Sequence, residues 1–219
     1  MMETTRHYAA AALFDLDGVV FDTEPQYTEF WGKQGALYHP EIEHFEQRIK
    51  GQTLVQIFDR WFAGQDEARR RITAALDRFE GAMAYDYVPG VEDFLRSLRA
   101  AGIPTAVVTS SNDEKMQNVY RAHPEFKGYF DRILTSEHFR RSKPDPDCYL
   151  LGAAGFRLPV DRCVVFEDSF NGLKAGRAAG MKVVGLSTTN AAEAIALLCD
   201  VVIPDFRDFD VEKVKALLA

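Results

Sequence analysis

Two aspartates, Asp15 and Asp17, stand two apart in FDLDGVVFDTEPQY, directly after the apolar run Ala9–Phe14. Carboxylate oxygens suit a hard divalent cation such as Mg²⁺. With such a cation neutralising a phosphate, an anionic carboxylate can attack phosphorus. Three later stretches offer what this chemistry needs. Thr109-Ser110-Ser111 follows the run TAVV, Ser142-Lys143-Pro144-Asp145-Pro146 follows RIL, and Glu167-Asp168-Ser169 follows CVVF. Asp168 can share a metal with Asp15, Lys143 can cancel charge on the nucleophile and the phosphoryl group, and Thr109 can donate to a phosphoryl oxygen. Phosphoryl transfer needs chiefly such positioning and charge stabilisation. Each stretch has an ordinary meaning when taken alone. Hydroxyls and acids cap helices, Asp-x-Asp pairs occur in turns, and a lysine between turn residues is normally solvated. Their joint occurrence, each behind an apolar run, is what capping alone does not explain.

The elements that must position these groups can be read from periodicity. AALF (11–14), TAVV (105–108), RIL (132–134), CVVF (163–166), KVVGL (182–186) and VVI (201–203) are short and rich in β-branched residues, as strands are. From residue 88 onward they alternate with helical patterns such as VEDFLRSLRAAG, DEKMQNVYRAH, PDCYLLGAAG and FNGLKAGRAAGM, with Gly102, Gly155 and Gly180 where helix C-caps are wanted. Such alternation predicts an α/β fold, a Rossmann-like parallel sheet with helices on both faces. Ligands then sit beyond the carboxyl ends of the strands, where the four loops lie. Residues 22–87 break the rhythm: EPQYTEFWGKQGALY, PEIEHFEQRIKG, TLVQIFDRWFAG and DEARRRITAALDRFEGAMA read as successive helices, and VPG at 88–90 is a re-entry turn. The expected organisation is a discontinuous core, 1–21 and 88–219, with a helical cap subdomain at 22–87.

Bulk properties narrow the function classes. A net charge of −7 argues against a general nucleic-acid or anionic-membrane binder, although a local metal site can still receive a small anion. Cys148, Cys163 and Cys199 are scattered and odd in number, which fits buried thiols better than a disulfide framework or a zinc cluster. The start MMETTRHYAA has too short an apolar run for a signal peptide, and no window reaches the ~18 apolar residues of a membrane span. The expected location is the cytoplasm.

FDLDGVV, VVTSS, SKPDPDCY and VVFEDSFNGLKAGRAAGM, in this order, resemble the four motifs of the haloacid dehalogenase superfamily across essentially the whole chain. The helical insert after the first motif resembles the cap of the β-phosphoglucomutase-like phosphatase subfamily. The resemblance implies that Asp15 is the nucleophile, forming an aspartyl-phosphate, and that Asp17 is the general acid and then the base. It further implies that Thr109 and the Ser110 amide bind phosphoryl oxygens, with Ser111 alongside, and that Lys143 pairs with Asp15. Mg²⁺ would be held by Asp15, Asp168 and the Asp17 carbonyl, with Glu167 in the outer shell. An acid at Asp17 favours phosphate ester cleavage over carbon–halogen or carbon–phosphorus cleavage. For its first step Asp17 needs surroundings that hold a proton on a carboxyl whose ordinary pKa is ~3.9.

Two activities compete under this resemblance: a phosphatase and a β-phosphoglucomutase interconverting β-glucose 1-phosphate and glucose 6-phosphate. At the mutase's histidine stands Tyr27, at its distal-phosphate arginine stands Leu54, and at its asparagine after the second motif stands Asp113. A mutase must grip two phosphates, so loss of the arginine favours hydrolysis of a small sugar or polyol phosphate. Lys50 keeps a positive charge available and the mutase open. Tyr27, Lys50, Gly51, Gln52 and Thr53 are the expected substrate-facing cap residues. Trp31, four residues after Tyr27 on one helix, has core packing as its ordinary meaning. A non-catalytic binding protein of the same fold is the third reading, and Asp15, Asp17, Thr109, Lys143 and Asp168 together argue against it. The expected partner is a small phosphorylated metabolite and the expected state a monomer.

Overall fold

The computed structural model describes residues 8–219. The absence of a signal peptide, expected from residues 1–10, therefore falls mostly outside the described residues. In chain order the elements are β1 (Ala11–Phe14), α1 (Glu24–Tyr38), α2 (Phe45–Arg48), α3 (Leu54–Trp61), α4 (Asp66–Ala82), α5 (Val91–Ala100), β2 (Thr105–Val108) and α6 (Asp113–Ala122). Then come β3 (Arg132–Leu134), α7 (Asp147–Phe156), β4 (Cys163–Glu167), α8 (Phe170–Ala178), β5 (Lys182–Leu186), α9 (Ala192–Ile195), β6 (Val201–Ile203) and α10 (Val211–Leu217). The strands form one six-stranded sheet, ordered β3-β2-β1-β4-β5-β6, and every neighbouring pair is parallel. The α/β class expected from strand–helix alternation is the fold observed. β1 lies between β2 and β4, where the strand order reverses, and the chain leaves it as Asp15. An open parallel sheet makes its ligand crevice at that point.

Side-chain alternation along the strands divides the core into two layers. Ala12, Phe14, Val164, Phe166 and Val184 enter one cluster with Phe94, Leu98 and Met116 from α5 and α6. Ala11, Leu13, Cys163, Val165 and Val183 enter the other with Tyr149, Ala153 and Leu173 from α7 and α8. The register sets Phe14 beside Phe166, and their rings stack with centroids 4.5 Å apart. Phe94, Phe130 and Phe206 close around Phe14. This aromatic knot lies one residue before Asp15 and one before Glu167, so core packing fixes where both acids emerge.

The helices α1–α4 have a separate apolar cluster, built on Phe30, Trp31, Phe45, Ile57, Phe62 and Ile72. Gly35 is used for close approach: a Cβ there would fall 2.6 Å from the Phe45 Cβ. Thr53 starts α3 with a reciprocal capping box, its hydroxyl accepting from the Gln56 amide while Gln56 accepts from the Thr53 amide. Two sequence expectations differ from the structure. The helix predicted over PEIEHFEQRIKG is confined to Phe45–Arg48, because the chain turns at Ile42, whose amide donates to the His39 carbonyl, and His44 is left-handed with φ 53°. Gly155 does not cap α7. The helix runs through it, packed against Arg132, and Arg157 takes the left-handed position with φ 58°.

Phe14→Ala, at a side chain with no exposed surface, is expected to lower unfolding free energy by about 3–5 kcal/mol. Urea denaturation of the purified protein measures this, and a loss under ~1 kcal/mol would contradict the central place given to Phe14.

Candidate active site

Four strand exits meet at one edge of the sheet. The Asp15 amide donates to the Phe166 carbonyl at 3.0 Å, locking the first loop to β4. Its carboxylate Oδ1 is 3.0 Å from the Lys143 ammonium. The Lys143 Nζ also donates to Glu167 Oε1 at 2.6 Å and to the Val108 carbonyl at 3.1 Å. Glu167, wholly buried, accepts further from the Tyr149 hydroxyl, the amides of Asp168 and Ser169, and the Ser169 hydroxyl. Every acceptor direction of this buried carboxylate is thereby used, as burial of charge requires. Asp168 differs. Its Oδ2 accepts from the Thr189 hydroxyl, but Oδ1 is buried with no hydrogen-bond partner.

This geometry bears on a metal. Asp15, Glu167 and Asp168 each offer a carboxylate oxygen, all within 4.8 Å of one another. Burial raises the Asp15 carboxyl to about 7, Lys143 opposing the shift while Glu167 and Asp17 add to it. Burial likewise pushes Asp168 well above the ordinary range, with the charges of Glu167, Glu24 and Asp15 reinforcing it. Negative charge is therefore under-compensated at this point, and an unpartnered oxygen faces it. An oxygen-ligand dication fits such a donor set. Asp15 and Asp168 are the residues that would hold it.

Asp17 is gripped by three donors. The Thr23 hydroxyl donates to Oδ1 at 2.6 Å, and the Ser111 hydroxyl and Lys115 ammonium donate to Oδ2 at 3.0 and 2.5 Å. Burial opposes ionisation, but the Lys115 charge and these hydrogen bonds outweigh it and hold the Asp17 carboxyl below its ordinary value. The surroundings thus favour the carboxylate, whereas the first step was expected to need a held proton. Thr109 is buried with its oxygen accepting from the Ser111 amide at 3.0 Å, which leaves its hydroxyl hydrogen free to donate. Ser110 is the half-buried residue between them.

The residues of the 22–87 stretch expected to face substrate divide. Gly51 lies on the core: a Cβ there would fall 2.9 Å from the Ser169 Cβ, and its carbonyl accepts from Asn171 at 2.8 Å. Lys50 reaches the Thr189 carbonyl at 3.5 Å and the Glu24 carboxylate at 3.6 Å. Tyr27 puts its ring 4.7 Å from the Lys115 ammonium and donates its hydroxyl to Glu80 at 2.7 Å. Gln52 turns back to the Arg48 carbonyl, Thr53 caps α3, and Trp31 is buried within the cap cluster. Asp113 faces Thr135, which donates to it at 2.7 Å.

Several groups at the site escaped sequence reasoning. Lys115 lies a helical turn beyond the third loop residue, where side chains lean back toward the helix N-terminus and hence toward the strand ends. Thr189 and Asn190 come after β5, so the same strand-exit rule would have found them. Thr189 holds Asp168 Oδ2, and Asn190 donates to the Asp168 carbonyl at 2.9 Å. Glu24 adjoins Thr23 in the stretch that opens the insert, and Gln56 donates from α3 to the Lys143 carbonyl at 3.2 Å.

The tightness of the Glu167 pocket can be tested. A Cβ on Gly172 would fall 1.6 Å from Glu167 Oε1. Gly172→Ala is expected to lose about 1–3 kcal/mol of stability despite the better helix propensity of alanine. Gly81→Ala, where nothing lies within 4 Å, should be neutral or gain up to about 1 kcal/mol. Paired urea titrations compare them.

Known proteins match both the sequence and the fold. Residues 9–180 match the family described as haloacid dehalogenase-like hydrolase. Hexitol phosphatase A of Escherichia coli K12 is 34% identical over 182 residues, covering 80% of this chain and 82% of that protein. The structure of a HAD hydrolase, family IA, variant 3 from Entamoeba histolytica superposes with a TM-score of 0.83 at 20% identity, covering 95% of this chain and 99% of the other. A β-phosphoglucomutase from Clostridium difficile gives 0.78 at 22% identity, with 95% and 96% covered, and at that identity the likeness speaks for the fold alone. With the paired acids, the buried lysine and the Glu167-Asp168 pair gathered at one sheet edge, the chain belongs to the haloacid dehalogenase-like hydrolases.

Proposed function

We propose that this enzyme hydrolyses small phosphate monoesters, of the sugar or polyol phosphate kind, through an aspartyl-phosphate on Asp15. The observation that carries the reading is the Asp15–Lys143 pair beside Asp168, whose Oδ1 has no partner. One site thus combines a nucleophile, a counter-charge and room for a cation. Mg²⁺ held by Asp15 and Asp168, with Glu167 behind them, would supply charge neutralisation at the phosphoryl group. A carboxylate oxygen of Asp15 attacks phosphorus, the ester P–O bond breaks, and a proton from Asp17 goes to the departing alkoxide. In the second half Asp17 takes a proton from water as the water oxygen attacks phosphorus. The acyl-phosphate bond then breaks, restoring the Asp15 carboxylate and releasing phosphate. Lys143 shields the nucleophile, while Thr109 and the Ser110 amide orient phosphoryl oxygens.

The insert, taken as residues 22–87, serves as the cap that limits substrate size and excludes bulk water. Its contacts with the core, Gly51 on Ser169 and Gln56 on the Lys143 carbonyl, support that role. Hydrolysis is preferred over mutase chemistry because Lys50, the cation expected to meet a second phosphate, is paired with Glu24. Leu54 packs against the cap cluster in the place of a distal arginine. A neutral polyhydroxy tail suits this partly buried pair better than a second phosphate does. No helix among the described residues is long and apolar enough to cross a membrane. The reading keeps a monomer in the cytoplasm, acting on metabolites and not on nucleic acid.

Phosphate release across a panel led by hexitol phosphates, suggested by the name of the E. coli relative, tests the proposal. Asp15→Asn should lower turnover at least ~1000-fold, and a chelator should abolish activity until Mg²⁺ is restored. With β-glucose 1-phosphate, phosphate should form faster than glucose 6-phosphate. Faster isomer formation would overturn the preference for hydrolysis, and no turnover of any ester would favour a binding protein.

A further inference from the structure

Lys115 is the buried cation that the four strand-exit loops do not account for. It belongs to the first turn of α6, on the core, and is 2% exposed. A buried ammonium needs a partner, and its Nζ donates to Asp17 Oδ2 at 2.5 Å. It also sits over the Tyr27 ring from the cap, 4.7 Å from the centroid, an attractive cation–π distance. Tyr27 is itself fixed by its hydroxyl bond to Glu80 of α4 at 2.7 Å. Lys115 is thus seated between the first catalytic loop and two cap helices.

The contacts distinguish the two carboxylate oxygens of Asp17. Oδ2 receives two donors, Lys115 and Ser111, while Oδ1 receives Thr23 alone. A carboxylate oxygen has two acceptor directions, so Oδ2 is filled and Oδ1 keeps one direction open. A proton can be exchanged at Oδ1 without breaking any of the three bonds. We propose that Lys115 is a positioning residue: it clamps Oδ2 so that Oδ1 of Asp17 faces the ester oxygen it protonates and the water it later deprotonates. This rests on the phosphatase reading above. After loss of Lys115 the Thr23 and Ser111 hydroxyls still hold one oxygen each, but these neutral bonds are weaker than the charged one removed, so the carboxylate is held less firmly and Oδ1 is aimed less well.

Leaving-group dependence tests the assignment. An alkoxide needs a proton as it departs, whereas p-nitrophenolate does not. The parameter kcat/KM covers only the steps up to the aspartyl-phosphate, so the later attack of water does not enter it. For Lys115→Met, kcat/KM toward an alkyl phosphate such as a hexitol phosphate should fall ~100-fold, within the range of general acid–base contributions. Toward p-nitrophenyl phosphate it should fall less than ~3-fold, and Lys115→Arg should recover most of the alkyl activity. The ratio of the two values in one sample is independent of the fraction of protein that is folded and metal-loaded. Equal losses on both esters would make Lys115 a structural counter-charge only, and no loss on either, or a gain on the alkyl ester, would also overturn the proposal. Should the wild-type protein turn over neither ester, the phosphatase reading fails, and crystal structures decide the positioning separately. Asp17 leaving Thr23 and Ser111 in Lys115→Met supports it, and an unmoved carboxylate refutes it.

Discussion

The Lys143 ammonium, buried to 2% exposure, ties together parts of the chain that are remote in sequence. Its Nζ meets Asp15 after β1, the Val108 carbonyl at the end of β2 and Glu167 at the end of β4, while its own carbonyl accepts from Gln56 of α3. Burying charge is unfavourable unless partners replace the lost water. Burial alone would lower the pKa of Lys143, but the Asp15 and Glu167 charges outweigh it and hold the lysine well above its ordinary value. The same constraint explains the crowding around Glu167. Tyr149, two backbone amides and the Ser169 hydroxyl must all be present, and Gly172 must lack a side chain, for a fully buried carboxylate to persist there.

The proposed function rests on unequal satisfaction of the acids. Glu167 is saturated, so it acts as scaffold. Asp17 is held by three donors, so it is oriented. Asp15 and Asp168 are under-compensated, and under the phosphatase proposal they are where a cation and a phosphoryl group would bring stabilisation. One crevice thus carries three differently prepared carboxyl environments, set by position relative to Lys143, Lys115 and the strand ends. Lys50 and Glu24 face each other beside this crevice, and the Glu24 charge still adds to the upward shift of Asp168.

Much of this was legible in the chain. The sheet and its helices announce themselves through short β-branched runs alternating with amphipathic segments, and each candidate residue of the core stands in a loop just behind an apolar run. The same rule, carried one strand further, reaches Thr189 and Asn190. Expectations were weaker over residues 22–87, where Gln52 turns back to the Arg48 carbonyl and the helix expected over residues 40–51 shrinks to four residues. Helices of a small subdomain are placed by packing against one another, and single residues such as Gly35 decide that packing without altering the hydrophobic period.

Local pattern therefore sufficed for the fold class and for the gathering of Asp15, Lys143, Glu167 and Asp168 at one sheet edge. Strand exits in a parallel sheet converge whatever the intervening sequence, so four short motifs carry that information. The partners of each acid came from three-dimensional packing alone. Lys115 meets Asp17 across 98 positions, and Lys50 meets the Thr189 carbonyl across 139. Nothing in the periodicity of either segment encodes those meetings. They arise because α6 and the α1–α4 stretch come to the same edge of the sheet, where a charged group takes whichever acceptor the packing brings within reach.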